Sequence, residues 1–344
     1  MSSPFVHHNG EVRLVIQIPC FNEATELPAT LADLPRDVPG FEEVRWLVID
    51  DGSTDATSEI AKAHGADAIV KLTQNKGLAV AFQAGLDASL KMGADVIVNT
   101  DADNQYSAAD IPRLVEPIIQ GKADLVVGTR DIANHREFSF LKKCLQRIGS
   151  WVVRQASATD VSDVTSGFRA YSREAALQAN VVSRFTYTLE TLIQAGRSDL
   201  AVADIPVNVN PTTRPSRLFR SKRQYVRRSA GTISRVYAMH QPLRVFNIPA
   251  ALFAIVGLVL FGRFGWFYLS SGGEGHIQSL IVGAVCLLVA MQMLMLGVLA
   301  DLLRSNRVIG ERVLRRVRNI ELTIASRTEQ SSELPHESLS LIHI

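Results

Sequence analysis

Between Glu11 and about Asn210, short β-branched apolar runs alternate with stretches whose apolar residues recur at helical spacing, the pattern of a parallel sheet covered by helices. The runs predict strands at Arg13–Ile18, Val44–Ile49, Ala68–Lys71, Asp95–Thr100, Asp124–Val127 and Ala201–Pro206. The stretches between them predict helices at Glu26–Asp33, Ser58–His64, Leu78–Met92 and Asp110–Gln120. No internal repeat or long low-complexity segment breaks this order.

After this α/β region the pattern changes. Ile248–Leu269 and Ile277–Leu303 are apolar stretches of about 22 and 27 residues, each long enough to cross ~30 Å of hydrocarbon. The link from Ser270 to His276 carries no Lys or Arg. Arg235 and Arg244 precede the first stretch, and Arg304, Arg307, Arg312, Arg315 and Arg316 follow the second. This asymmetry predicts a transmembrane hairpin with both chain ends in the cytoplasm. A pair of buried helices in a large soluble core is the alternative. A charge at the bilayer centre costs about 2.5–3.5 kcal/mol on insertion scales, so Arg263 is read as snorkelling to the outer interface.

Composition narrows the class. In 344 residues, 47% hydrophobic and 20% charged, there is too much apolar residue for disorder and too little for a fully embedded transporter. The net charge of +2 hides an excess of acids in the first hundred or so residues and of bases beside the apolar stretches. Cys20, Cys144 and Cys286 are odd in number and dispersed, which excludes a disulfide framework or a zinc spacing. Met1–Gly10 lacks the apolar core of a secretory signal, so the first domain is expected to stay cytosolic.

Two basic, partly apolar stretches, Phe138–Ser157 and Leu218–His240, read as helices lying along a membrane surface. Lys142 and Lys143 in the first would face anionic headgroups or a lipid phosphate. Nucleic acid is the other partner for such a helix, and the adjacent spans argue against it. The expected layout is a tail at 1–10, the α/β domain at 11–217 with an interfacial helix at 138–157, and a basic juxtamembrane helix at 218–247. Two transmembrane helices at 248–303 and a basic helix and tail at 304–344 complete it. The tail from Ser326 to Ile344 reads as largely disordered.

Three strand ends carry candidate chemistry. Asp101-Ala-Asp103-Asn-Gln105 follows an apolar strand, and extended geometry puts side chains two apart on one side, so two carboxylates converge at the sheet's C-terminal edge. Open α/β sheets bind ligands there, and a carboxylate pair with an amide oxygen suits Mg²⁺ or Mn²⁺ bridging a diphosphate. A D-x-D in an acidic turn also arises by chance. Val48-Ile-Asp50-Asp51-Gly-Ser-Thr-Asp55 is a second strand ending in carboxylates, with Thr54 or Asp55 able to cap the next helix. Adjacent carboxylates repel, and a ribose or an N–H-bearing base would relieve Asp50 and Asp51. Pro19-Cys-Phe-Asn22-Glu23 is the third, where Asn22 could equally be a helix cap.

In combination, order and spacing these motifs resemble the family 2 glycosyltransferases of the GT-A fold, over about residues 11 to 215. That resemblance implies an α/β Rossmann-like mixed sheet with helices on both faces, here followed by the two-helix hairpin. Asn75-Lys76-Gly77-Leu with Ala84-Gly85 resembles the segment lying over the nucleotide-sugar, and Asp103-x-Gln105 resembles the form found in dolichol-phosphate mannosyltransferases and undecaprenyl-phosphate glucosyltransferases. Val127-Gly-Thr-Arg130 and Asp163-Val-Thr-Ser-Gly167-Phe-Arg169 look like two more segments of that group. The resemblance therefore implies donor contacts from Pro19, Asn22, Glu23, Asp50, Asp51, Lys76, Gly77 and Asp101, and a metal site of Asp101, Asp103 and Gln105.

It also implies a hexose moved from a GDP-mannose- or UDP-glucose-type donor to an undecaprenyl or dolichyl phosphate, with inversion. An acceptor monophosphate with a second pKa near ~6 is already an anionic nucleophile, so cations rather than a strong base are required. Arg130 and Arg169 are the first choices for that clamp, with Asp163 orienting groups near the sugar. A surface or intradomain ion pair is the structural alternative for both arginines. Arg214-Pro-Ser-Arg217 resembles an acceptor segment but lacks its usual Gly and has Arg217 in place of Lys, a change from ammonium to planar fork. A polysaccharide synthase would favour a Q-x-x-R-W-like segment, which is absent. A catalytically silent GT-A scaffold is disfavoured by the intact acid and arginine set. Homo-oligomerisation is left open.

Overall fold

The computed structural model describes residues 12–130, 161–181, 187–198, 200–210, 241–271, 277–330 and 341–343. The chain divides into two compact units, one of Met1–Ser221 with Arg312–Ile344 and one of Lys222–Glu311.

In the first unit the apolar runs become strands because their side chains are buried on both sheet faces, as in β1 (Arg13–Cys20) and β2 (Glu43–Asp50). They alternate with α1 (Leu27–Asp33), α2 (Thr57–Ala63), β3 (Ala68–Lys71), α3 (Leu78–Lys91), β4 (Val96–Asn99), α4 (Ile111–Ile119) and β5 (Leu125–Thr129). Then come β6 (Arg169–Ser172), α5 (Arg173–Gln178), α6 (Tyr187–Arg197) and β7 (Val202–Pro206). All six strands and four helices read from the pattern are present, with ends within two residues of the expected ones. β6, α5 and α6 are additions.

The sheet order is β7-β5-β6-β4-β1-β2-β3-β8, where β8 is Leu341–His343, paired in parallel with Ile69–Lys71. The far C-terminus, expected to be disordered, thus supplies an edge strand. β6 alone runs antiparallel to its neighbours, β4 and β5. Since β1 lies between β2 and β4, connections leave it in opposite directions, and this switch point opens a crevice at the C-terminal ends of the parallel strands. Asn99 pairs with Gln17 on one side and with Arg169 on the other. The start of antiparallel β6 is thereby delivered to the same edge as the ends of β1 and β4. The core beneath is built from Leu14, Ile16, Ile18, Leu31, Val96, Val98, Leu114 and Val126.

The second unit holds α7 (Pro242–Ser271) and the first part of α8 (Ile277–Gln330). Both helices are long and apolar enough to cross a membrane. Each starts or ends beyond the apolar stretch read from the sequence: α7 begins six residues before Ile248, and α8 continues far past Leu303. Within this unit Gly257 and Gly283 meet. A Cβ added at either would lie 3.1–3.2 Å from the other's carbonyl oxygen, and one at Gly283 would lie 2.7 Å from the Phe261 ring. Outward faces stay exposed, including Leu258, Trp266, Leu288 and Met295.

Candidate active site

The turn after β4 is pinned on every side. Asn104 adopts a left-handed φ of 52°, which a short polar side chain tolerates best among non-glycines. Its amide donates to Asp33 of α1 (2.6 Å), the Thr30 hydroxyl donates to the Ala102 carbonyl (2.8 Å), and the Asn210 backbone N–H donates to the Gln105 carbonyl (2.8 Å). Asp103 accepts from the Gln105 N–H (3.1 Å). Asp101, Asp103 and Gln105 are all half-buried on this turn. Burial, and next the Asp103 charge, push the Asp101 carboxyl up to about 7 against an opposing pull from Arg130. Among the described residues no group of three or more His, Cys, Asp or Glu could hold a metal. A pair of carboxylates with an amide still fits Mg²⁺ or Mn²⁺, which take few protein oxygens and fill the remaining positions with substrate phosphates and water.

The loop before β6 closes over the acids. A Cβ added at Gly167 would sit 3.2 Å from both Asp101 carboxylate oxygens and 2.8 Å from the Tyr187 hydroxyl, so only glycine fits. The Gly167 carbonyl accepts from Asn99 (2.8 Å), itself fully buried and bonded to Gln17 (2.9 Å). The Gly167 N–H donates to the Tyr106 hydroxyl (3.3 Å), and the Tyr106 ring stacks on Phe168 with centroids 5.1 Å apart. Burial above all pushes the Tyr106 phenol up to about 12.

Arg130, directly after β5, binds Asp163 through Nε at 2.8 Å and Thr165 through Nη2 at 3.2 Å. Its side chain is 22% exposed against 1% for Asp163. Burial would raise the Asp163 pKa, but the Arg130 charge and the bonds from Arg130 and Thr165 outweigh it and hold the carboxyl below the usual range. Asp163 is therefore an anchor for the guanidinium and a poor proton acceptor.

Arg169 is engaged differently. It is fully buried and donates to the carbonyls of Ser166 (2.8 Å), Val164 (2.9 Å) and Thr188 (2.7 Å) and to the Thr191 hydroxyl (3.0 Å). The expected phosphate clamp is instead a strut tying the 164–166 loop to α6, with four of its five N–H donors used in this way.

The donor-side motifs lace together. Asn22, at φ 53°, accepts from the Thr54 N–H (2.9 Å) and joins the first turn to the second rather than capping α1, whose N-cap is Glu26. Asp55 accepts from the Ala24 N–H (3.2 Å) and the Thr57 N–H (3.1 Å) at the start of α2. The paired acids are relieved within the protein: Asp50 accepts from the Ser53 N–H (2.7 Å) and the Ser58 hydroxyl, and Asp51 from the N–H groups of Lys76 and Gly77, both at 2.8 Å. Asp51 thus fixes the Asn75–Gly77 loop. Burial still raises its pKa despite those two bonds. Glu23 is half-buried and Pro19 lies inside β1. Lys142, Lys143, Arg214 and Arg217, with both expected surface helices, lie outside the described residues.

Residues 15–178 match the glycosyl transferase family 2 model. An uncharacterised glycosyltransferase of Mycobacterium tuberculosis is 33% identical over 201 residues, covering 58% of this chain and 86% of that one. The chain belongs to glycosyltransferase family 2. Undecaprenyl-phosphate mannosyltransferase of Micrococcus luteus is 30% identical over 206 residues, 57% of this chain and 83% of that protein. Among solved structures, glucosyl-3-phosphoglycerate synthase of Mycobacterium tuberculosis, crystallised with Mn²⁺, UDP and glucosyl-3-phosphoglycerate, matches with a TM-score of 0.51 at 19% identity. It covers 67% of this chain and 79% of that one, a likeness in fold. This glycosyltransferase has the GT-A sheet expected from its motifs. Tyr106, Thr165, Asn99 and Tyr187 are site-bordering residues the sequence did not single out. Tyr106 had a signal as the next residue after the D-A-D-N-Q turn, and Thr165 had one inside the Asp163–Arg169 segment.

Proposed function

We propose that the protein transfers a hexose from a nucleotide diphosphate-sugar of GDP-mannose or UDP-glucose type to a polyprenyl phosphate at the cytoplasmic face of a membrane, inverting the anomeric centre. The observation carrying this reading is a half-buried acid pair, Asp101 and Asp103, within the field of an arginine that is anchored on Asp163 and still open to solvent. The relative named for mannosyl transfer to undecaprenyl phosphate supports the acceptor class. α7 and α8, with their exposed apolar faces, support the membrane setting, and the arginines flanking them support a cytoplasmic side for the catalytic unit and both termini.

An acceptor phosphate oxygen attacks the anomeric carbon as the bond from that carbon to the donor's diphosphate breaks. The bonding pair leaves with the nucleoside diphosphate. No protein base is needed, because the acceptor is anionic at neutral pH. Arg130 offers its remaining nitrogen, Nη1, to a phosphate while Asp163 and Thr165 hold the other two. Asp101, Asp103 and Gln105 would hold Mg²⁺ or Mn²⁺, which neutralises charge developing on the departing diphosphate. Gly167 and Tyr106 set the wall against which the sugar lies, and Arg169 braces that wall from behind. Asn22, Glu23, Asp50, Asp51, Lys76 and Gly77 shape the nucleotide end. Pro19 contributes through backbone placement.

The test is full-length protein in detergent with Mn²⁺, undecaprenyl phosphate and either labelled GDP-mannose or labelled UDP-glucose. One donor should yield labelled lipid, and Asp103→Ala should lose on the order of 10²-fold or more in rate. Equal incorporation by wild type and Asp103→Ala would reject the metal site. A labelled polymer in place of labelled lipid would reject the acceptor.

A further inference from the structure

Beyond residue 311, α8 has two separate faces. One is used by the catalytic unit: Leu314, Arg318 and Leu322, four residues apart, are half-buried. Arg318 donates to the Ala179 carbonyl (2.7 Å) and pairs with Asp87 (3.3 Å), and Arg315 pairs with Glu174. The other face is apolar and open, with Val313, Val317, Ile320 and Ile324 respectively 55%, 44%, 58% and 60% exposed. At about 100° per residue these four fall within an arc of about 60°, well round the helix from Arg318.

Their spacing of four, three and four is that of a coiled-coil seam, with Val317 and Ile324 at one core position and Val313 and Ile320 at the other. Exposed Arg316 and Glu321 stand on opposite shoulders of this stripe. In a parallel, in-register coil, a residue on one shoulder meets the residue five further along on the opposite shoulder of its neighbour. Arg316 then faces Glu321 of the partner subunit, and the reverse pair forms by symmetry. A helix lying on a bilayer needs a broader apolar face, about 100° or more, rimmed by cations. This one is narrow, with an acid on one rim.

We propose that the Val313–Ile324 stripe is a self-association seam, covered by the same stripe of a second copy of this chain. The inference rests on the membrane reading above, since two heptads are marginal in free solution and confinement to one bilayer raises the effective concentration. β-branched side chains at both core positions tilt the coil toward more than two strands.

The test uses the full chain with Cys20, Cys144 and Cys286 replaced by Ala, reconstituted into phosphatidylcholine–phosphatidylglycerol vesicles. Under mild oxidation Ile320→Cys should cross-link several-fold more than Asn319→Cys, which lies off the stripe. Arg316→Glu should lower that yield, and combining it with Glu321→Arg should restore it. Equal yields at 319 and 320 overturn the seam. A loss with Arg316→Glu that the double exchange fails to restore also overturns it, pointing to headgroup attraction. Flotation of the same samples separates the premises: protein that floats but shows no selective cross-link overturns self-association alone, whereas protein that does not float overturns the membrane reading with it.

Discussion

Asp101 carries the sharpest consequence of a single residue. A carboxyl pushed up to about 7 by burial and by Asp103 is favoured neutral in the fold, so its ionisation costs stability. The cost is absent below the unfolded value near 4, grows as pH rises, and is fully present above about 7. Asp101→Asn should therefore raise the melting temperature at pH 8, show no gain near pH 4, and abolish turnover. Mn²⁺ should raise the melting temperature of wild type at pH 8 and leave the variant unmoved. The two arginines should separate in the same way. Arg169→Met strands three carbonyls, two of them buried and one half-buried, and should cost about 3 kcal/mol or more in thermal denaturation. Arg130→Lys keeps a cation beside Asp163 and should fold normally, yet lose turnover by roughly 10²-fold with the planar fork. Asp50, Asp51, Asp101 and Asp103 were legible because they close apolar runs, and Asp163 through its resemblance to a family segment. The partners of Arg169 were not, since Thr188 and Thr191 lie some twenty residues away on a helix without a motif.

Elements were legible where burial was uniform and long. β1 and β2 are eight-residue strands in which apolar residues dominate, and the sequence shows them directly. β6 escaped because its four residues are Arg-Ala-Tyr-Ser, all buried, with the arginine bonded to loop carbonyls instead of facing solvent. Nothing in a four-residue polar run announces a central strand. The Gly52 turn shows how tightly the elements are joined. At φ +69°, a Cβ there would lie 2.4 Å from the Gln74 carbonyl carbon, so Gly52→Ala should destabilise the catalytic unit by about 1–3 kcal/mol in thermal denaturation. In the hairpin, Gly283→Leu should separate α7 from α8, since its side chain would occupy the place of the Phe261 ring. Loss of a disulfide between cysteines engineered into the two helices would report it.

α8 is shared by the two units, its residues up to Glu311 in one and those from Arg312 in the other. Arg318 bonds the last carbonyls of α5 and pairs with Asp87 of α3, favourable for a cation at a helix C-terminus. Arg318→Ala should lower stability by about 1 kcal/mol, read as a fall of a few degrees in melting temperature, without altering the metal response. A change of composition is visible near residue 248, but the contact of Arg318 with α3 and α5 was not legible. The basic residues of α8 read as cytoplasmic positive charge, and among the described side chains Arg315 and Arg318 carry that contact.

Because this unit joins Met1–Ser221 to a segment beginning at Arg312, the chain is not laid down in the order in which it is assembled. A ribosome that has just translated the hairpin has yet to release the stretch that braces α3 and α5. Completion of the catalytic unit must then wait until the residues from Arg312 onward have emerged, and a nascent chain stalled before Arg312 should present protease-sensitive α3 and α5.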